Sequence, residues 1–307
     1  MKSLLLGLAA FNLVMVSIAH ADAVLATKKL SDNVYALIGP LTNRDAENLG
    51  NNANFGVIVT DDGVVLVDPG ATYRGAEMIH AAIREITEKP VRLVINTGGQ
   101  DHRWLGNAYF REQGARIIAS EEAVSDQKAR LQDQLARLSH LVGSPGIEGT
   151  EPAYADETFA DKEVVTLGKT RIEVRYLGHA HTPGASIAWL PEERIVFAGD
   201  IVYIGRMLRI GPESAHRGWI SAFEAMAALQ PKIVVGGHGQ PADLSKATAD
   251  TYDYLVFLRE SVLSFMNAGQ GIEDVGTIDQ SRFSYLDNYE SLKGRNAQRV
   301  FEELEWE

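Results

Sequence analysis

Four histidines, His102, His179, His181 and His238, fall in glycine-containing loops shortly after stretches with strand patterning, and Asp68 and Asp200 each follow a predicted hairpin. Loops at strand ends are where a rigid scaffold displays reactive groups, and imidazole with carboxylate is the usual ligand set for zinc and related metals. The sequence holds no cysteine, which excludes disulfides, thiolate nucleophiles and Cys-type zinc sites. Any metal must therefore be held by His, Asp, Glu or amide oxygen. His80, His140 and His216 lie in helical or polar surroundings, where a surface or capping role is the expectation. No Gly-x-Ser-x-Gly elbow is present, which sets Ser/His/Asp catalysis low.

The elements that must position these groups occur twice in the same order. Val34 to Ile38 reads as a short strand. Phe55 to Thr60, Asp61-Asp62-Gly63 and Val64 to Val67 then read as a hairpin with an Asp-Gly turn, ending at Asp68-Pro69-Gly70. Residues 74 to 88 carry Ile79, Ile83 and Ile86 at helical spacing, Pro90 closes the helix, and Val91 to Ile95 suits a strand buried on both faces. His102 follows. In the second half, Ile187 to Leu190, Pro191-Glu192-Glu193 and Arg194 to Ala198 form a hairpin that runs into Asp200. A helix around Trp219 to Ala228 and a strand Ile233 to Val235 lead to His238. Two sheets packed face to face with helices outside, an αββα sandwich, is the natural architecture.

Residues 22–307 are expected to form a single domain with two additions. The first is an inserted helix, about residues 120–143, whose Leu131, Leu135, Leu138 and Val142 share one face; packing on the core is the favoured reading over a lid. The second is a C-terminal helical extension, about residues 246–307, marked by Leu255, Leu258, Val262 and Phe265 and by Asn296 to Leu304.

The chain opens with Met1-Lys2-Ser3, an apolar run from Leu4 to Ile18 and Ala19-His20-Ala21, so residues 1–21 read as a signal peptide. This implies a periplasmic or secreted protein with no stable membrane insertion after cleavage. Removing Lys2 leaves 28 of the 29 basic residues against 41 acidic ones, about −13, with no basic run longer than a pair. That balance excludes nucleic acid and anionic membrane as natural partners and leaves a small-molecule substrate.

The stretch Gly178-His179-Ala180-His181-Thr182-Pro183-Gly184, followed by Phe197-Ala198-Gly199-Asp200 and Gly237-His238-Gly239, resembles the metallo-β-lactamase superfamily. The resemblance spans about residues 31 to 240 and implies that His181, Asp200 and His238 are metal ligands. It makes Asp68 a buried residue behind the ligands and places His179 at substrate or behind the ligands. The tail Asn296 to Trp306 and Leu105-Gly106-Asn107 are similar to a periplasmic subgroup found beside sulfur-oxidation and quinoprotein systems.

The first family motif, His-x-His-x-Asp-His, is degraded. Here the chain reads Asn96-Thr97-Gly98-Gly99-Gln100-Asp101-His102-Arg103. A gapless match puts Gly98 and Gln100 at two lost histidines, His102 at the aspartate and Arg103 at the last histidine. A shifted match keeps Asp101-His102 as the Asp-His pair. Either way the resemblance implies one divalent ion more readily than two, zinc, iron or manganese, held by Asp200 and His238 with His102 or Asp101. Gln100 offers only a weak neutral oxygen, and Asp101, if not a ligand, is placed to orient or deprotonate water. Arg103 brings a fixed positive charge, which either binds an anionic substrate group or replaces the metal's charge. The leading expectation is a metal-dependent hydrolase of an ester, thioester or lactam; the alternative is a non-catalytic binding or accessory protein on the same fold.

Overall fold

The computed structural model of the protein describes residues 24–307; residues 1–21, expected from sequence to be a signal peptide, lie outside the described residues. Seven strands form the first sheet in chain order: β1 (Ala26–Lys29), β2 (Val34–Ile38), β3 (Asn54–Thr60), β4 (Gly63–Val67), β5 (Val91–Ile95), β6 (Arg116–Ser120) and β7 (Glu157–Phe159). The second sheet holds β8 (Lys162–Leu167), β9 (Thr170–Gly178), β10 (Ala185–Leu190), β11 (Ile195–Phe197) and β12 (Ile233–Val235), in sequential order. The helices are α1 (Tyr73–Arg84), α2 (Asn107–Glu112), α3 (Glu121–Ile147), α4 (His216–Ala227), α5 (Leu244–Ala247), α6 (Asp253–Asn267) and α7 (Tyr289–Leu304).

Strand periodicity assigns the core. Along β4, Val65 and Val67 point between the sheets, where they join Leu93, Ile95, Val174, Ala188 and Phe197. Their neighbours Val64 and Leu66 point the other way and pack with Ile79, Ile83 and Phe110 under α1 and α2. This two-residue alternation buries every position of the strand. On the far side, Ile187 and Trp189 of β10 meet Trp219 and Phe223 of α4, Leu255 and Leu258 of α6, and Val300 of α7. The result is two mixed sheets face to face with helices outside, and both hairpins end where the candidate site is built.

Three features differ from expectation. Helix α1 stops at Arg84, and turn bonds from Ile86 and Thr87 to the Ile83 carbonyl, both 2.9 Å, replace a further helical turn. Helix α3 continues past residue 142, but Gly143 adopts φ 73° and ψ 168°, which breaks it into two segments. Leu138 and Val142 pack on Trp104 and Leu105, so α3 rests on the loop after β5. It also binds that loop's backbone, Gln134 Nε2 donating to the Gly99 carbonyl at 2.8 Å and Gln127 Nε2 to that of Gly98 at 3.3 Å. A β-carbon on Gly99 would lie 1.9 Å from Asp126 Oδ2, which explains the glycine there.

The third difference is His216, which opens α4 yet is fully buried. Its Nε2 donates to the Leu255 carbonyl at 2.9 Å, Nδ1 has no partner, and Glu303 accepts from its backbone N–H. Burial pushes this imidazole down to about 4. The unfolded chain, with an ordinary value near 6.5, therefore takes up a proton that the folded chain refuses. The contribution is complete above that value and is lost as pH falls toward 4. Between pH 6 and 4.5 the unfolding free energy should fall more steeply than in His216→Gln, by about 1.2 kcal/mol per pH unit. Urea titrations of both proteins across that range check this; parallel slopes would contradict it.

Candidate metal centre

The loop after β5 is closed by its own ends. Asn96 and Asn107 exchange two side-chain hydrogen bonds, of 3.0 and 2.9 Å, across the intervening ten residues. Within it Asp101 to Arg103 form a single 3₁₀ turn, which sends His102 and Arg103 into the interior. Asp200 sits on a second 3₁₀ turn directly after β11. His238 follows β12 through Gly236 and Gly237. Gly237 has to be glycine, because a β-carbon there would lie 2.5 Å from both Arg103 Nη2 and Asp200 Oδ1.

These three segments bring together His102, Asp200 and His238, whose ligand atoms all lie within 4.8 Å of one another. His102 Nε2 is 3.2 Å from Asp200 Oδ2, and His238 Nε2 is 3.5 Å from Asp200 Oδ1. Of the two residues that sequence left open, His102 thus joins the cluster, as the gapless match requires. Asp101 turns away from it, pairing with Arg44 and accepting at Oδ1 from the His102 backbone N–H at 2.8 Å. Burial alone would raise its carboxyl, but Arg44 and then His102 hold it below the usual range.

Arg103 fills the remaining space. Nε and Nη2 donate to the two oxygens of Asp200 at 3.2 and 2.6 Å, and Nη1 donates to Asp68 Oδ2 at 2.9 Å. The carbonyls of Asn54 and Gly237 accept from it at 3.1 and 3.2 Å. Burial works against the charge, but Asp200 and Asp68 raise the guanidinium further above its ordinary value. Burial would also raise Asp200, which Arg103 and then His102 hold well below the carboxylate range. Asp68 is pushed up by burial despite Arg103, and Thr97 donates to both its oxygens at 2.8 Å. Arg103 is thus an internal counter-ion at 1% exposure, out of reach of a substrate.

The histidine donors are oriented from behind. His238 Nδ1 donates to the Asn52 carbonyl at 2.8 Å, which leaves Nε2 as the lone-pair nitrogen facing Asp200. Burial pushes this imidazole down to about 3, so it is neutral at any physiological pH. His102 Nδ1 faces both Asp101 Oδ1 at 3.2 Å and Arg44 Nη2 at 2.7 Å. Donation to Asp101 frees Nε2 for an ion, whereas acceptance from Arg44 places the proton there. His102 Nε2 is buried without an aligned hydrogen bond, and an orphaned buried nitrogen beside a carboxylate and a second lone-pair imidazole fits a single divalent ion.

The other candidates stand apart from this cluster. His181 lines a cavity of about 420 Å³ together with His102 and His238; its Nδ1 donates to the Arg209 carbonyl at 3.1 Å, and burial pushes it down to about 4. His179 is exposed and bonds the Glu213 carbonyl at 2.7 Å, which ties two loops together. Gln100 Oε1 accepts from Arg130 at 3.3 Å, and Gly98 supplies no side chain, so nothing beside His181 completes a second set. Sequence reasoning missed Arg44, Asn52, Tyr203 and Arg206. Tyr203 stacks on His238 at 4.7 Å. A usable signal was the four asparagines between residues 48 and 54, a cluster of amide groups leading into β3.

Two helix-flanked mixed sheets, with ligand-type side chains in the loops at their strand ends, define an αββα sandwich with a candidate metal centre. Residues 49–238 match the family model of the metallo-β-lactamase superfamily, and the chain belongs to that superfamily. It is 25% identical over 222 residues to a metallo-β-lactamase type 2 of Elizabethkingia meningoseptica, covering 69% of this chain and 77% of that protein. It is 18% identical over 258 residues to a linear primary-alkylsulfatase of a Pseudomonas species, covering 69% of this chain; it spans about half (47%) of that relative's length. Among solved structures, a metallo-β-lactamase from Pontibacter korlensis superposes with a TM-score of 0.60 at 21% identity, over 76% of this chain and 99% of that one. A stereoselective inverting sec-alkylsulfatase from Pseudomonas superposes at 0.69 and 16% identity, over 91% of this chain and 50% of that one. Among the described residues no helix is long and apolar enough to cross a membrane.

Proposed function

We propose that the protein is an exported, periplasmic hydrolase of a small-molecule ester, thioester or lactam that works with one divalent ion, zinc being the first choice. The observation that carries this reading is the convergence of His102, Asp200 and His238, two of which line a cavity of about 420 Å³, a volume suited to a small ligand. Two imidazoles and one carboxylate leave coordination positions open for water and substrate. Bound there, the ion would supply Lewis acidity, polarising a carbonyl and acidifying water.

The protein's own groups prepare that position. The Asn52 carbonyl fixes the His238 tautomer, and Asp101 would hold His102 by accepting from Nδ1 in the tautomer that frees Nε2. Asp101 is assigned to orienting this ligand rather than to taking a proton from water. Arg103 locks the Asp200 carboxylate in place and keeps it ionised. His181, neutral and with Nε2 as its lone-pair nitrogen, is the cavity's own proton acceptor.

A second reading, a non-catalytic binding protein, is favoured by one observation: Arg103 already satisfies both oxygens of Asp200. Metal content separates the two. Protein grown with zinc, iron and manganese should hold about one equivalent of a single transition metal. Less than about a tenth of an equivalent would leave the binding-protein reading standing alone.

A further inference from the structure

Five arginines, Arg44, Arg137, Arg206, Arg209 and Arg295, line the cavity that contains His102, His181 and His238, and among the described residues no acidic side chain lines it. This inverts the charge of a chain with 41 acidic and 29 basic residues. Four separate segments deliver them: the loop between β2 and β3, α3, the stretch after Asp200, and α7. Two are neutralised, Arg44 by Asp101 and Arg209 by Glu213 at 2.6 Å. Among the described residues Arg137, Arg206 and Arg295 form no salt bridge; Arg206 is half-buried, whereas Arg137 and Arg295 are exposed. Partial burial, and then Arg44 and Arg209, make the charged form of Arg137 less favourable. Crowded guanidiniums without counter-ions are relieved by an anion. The apolar part of the wall is Leu141, Met207 and Leu292, set among polar groups such as Asn43, Asn288 and Ser291.

We propose that the cavity binds a small organic oxyanion, a carboxylate, sulfate or phosphate, with its charge against Arg137, Arg206 and Arg295. Its apolar part lies along Leu141, Met207 and Leu292, and its reacting bond faces His102 and His238. Only the last element rests on the hydrolase reading; binding of the anion does not require the ion. The substrate class is therefore an anionic molecule rather than a neutral one, and planar oxyanions match guanidinium donors that lysines would not supply as well.

Calorimetric titration of the full chain, both chelator-treated and metal-loaded, tests this with benzoate, phenyl sulfate and phenyl phosphate against neutral benzamide. At least one anion should bind tenfold or more tightly than benzamide in both preparations, and its affinity should fall with added salt. Arg137→Gln and Arg206→Gln should each weaken that anion about fivefold, while Arg116→Gln, on β6 and paired with Glu157 outside the cavity, should leave it unchanged. Equal binding of benzamide, or wild-type affinity in both cavity variants, overturns the proposal. So does anion binding that needs the ion and ignores the arginines. Anion binding through the arginines in a protein that takes up no metal would uphold this inference while sinking the hydrolase reading.

Discussion

Replacing Arg103 with methionine should destabilise the chelator-treated protein by about 3–5 kcal/mol. The side chain is 1% exposed and donates five hydrogen bonds, two to Asp200, one to Asp68 and two to backbone carbonyls. Its removal leaves two carboxylates in a dry interior with no counter-charge, and the loss reflects those stranded groups more than the strength of the pair. Lysine should not rescue, since one ammonium cannot reach both oxygens of Asp200 together with Asp68. Adding Asp200→Asn to Arg103→Met should recover part of the stability, because one stranded charge is then gone. Urea unfolding of the four proteins gives the cycle. A loss below about 1 kcal/mol for Arg103→Met would mean that Arg103 is not the counter-ion of this cluster.

His238→Ala should lower metal affinity by at least about 100-fold, since it removes one of only three side-chain donors. Asp101→Asn should have a smaller effect, about 10-fold to 100-fold, because it loosens His102 without removing a donor. Competition against a chromogenic chelator measures both. His238 is buried and stacked on Tyr203, so His102→Ala serves as a second variant from a different loop. Both alanine variants should lose the ion while keeping the far-ultraviolet dichroism of the parent. Retention of a full equivalent by either would place the ion elsewhere and remove the basis for the proposed chemistry.

The sandwich was legible in the sequence because burial on both faces leaves strong traces. Strands β5 and β12 fall on the residues that apolar runs mark, and each hairpin runs into its aspartate. Helix ends were less legible: α1 stops early through turn bonds, and α3 is divided by the φ of Gly143, both decided by local backbone geometry. Within the site, sequence could name His102, Asp200 and His238 but could not choose between His102 and Asp101. That choice depends on which way one 3₁₀ turn faces. The arginine wall was illegible, since its members come from four segments and no pair of them forms a sequence motif.

The segment between β2 and β3 has a consequence for time rather than for structure. Residues 40–53 contribute the Arg44 side chain to Asp101 and His102 and the Asn52 carbonyl to His238, while Asn54 at its end meets Arg103. It is a connection without regular secondary structure, anchored by contacts such as Asn52 Nδ2 to the Thr42 carbonyl and Asn48 Nδ2 to that of Asn43. Connections of this kind open locally far more often than a whole domain unfolds. One such opening would release the orientation of both imidazoles at once, so exchange of anything held there would not have to wait for global unfolding.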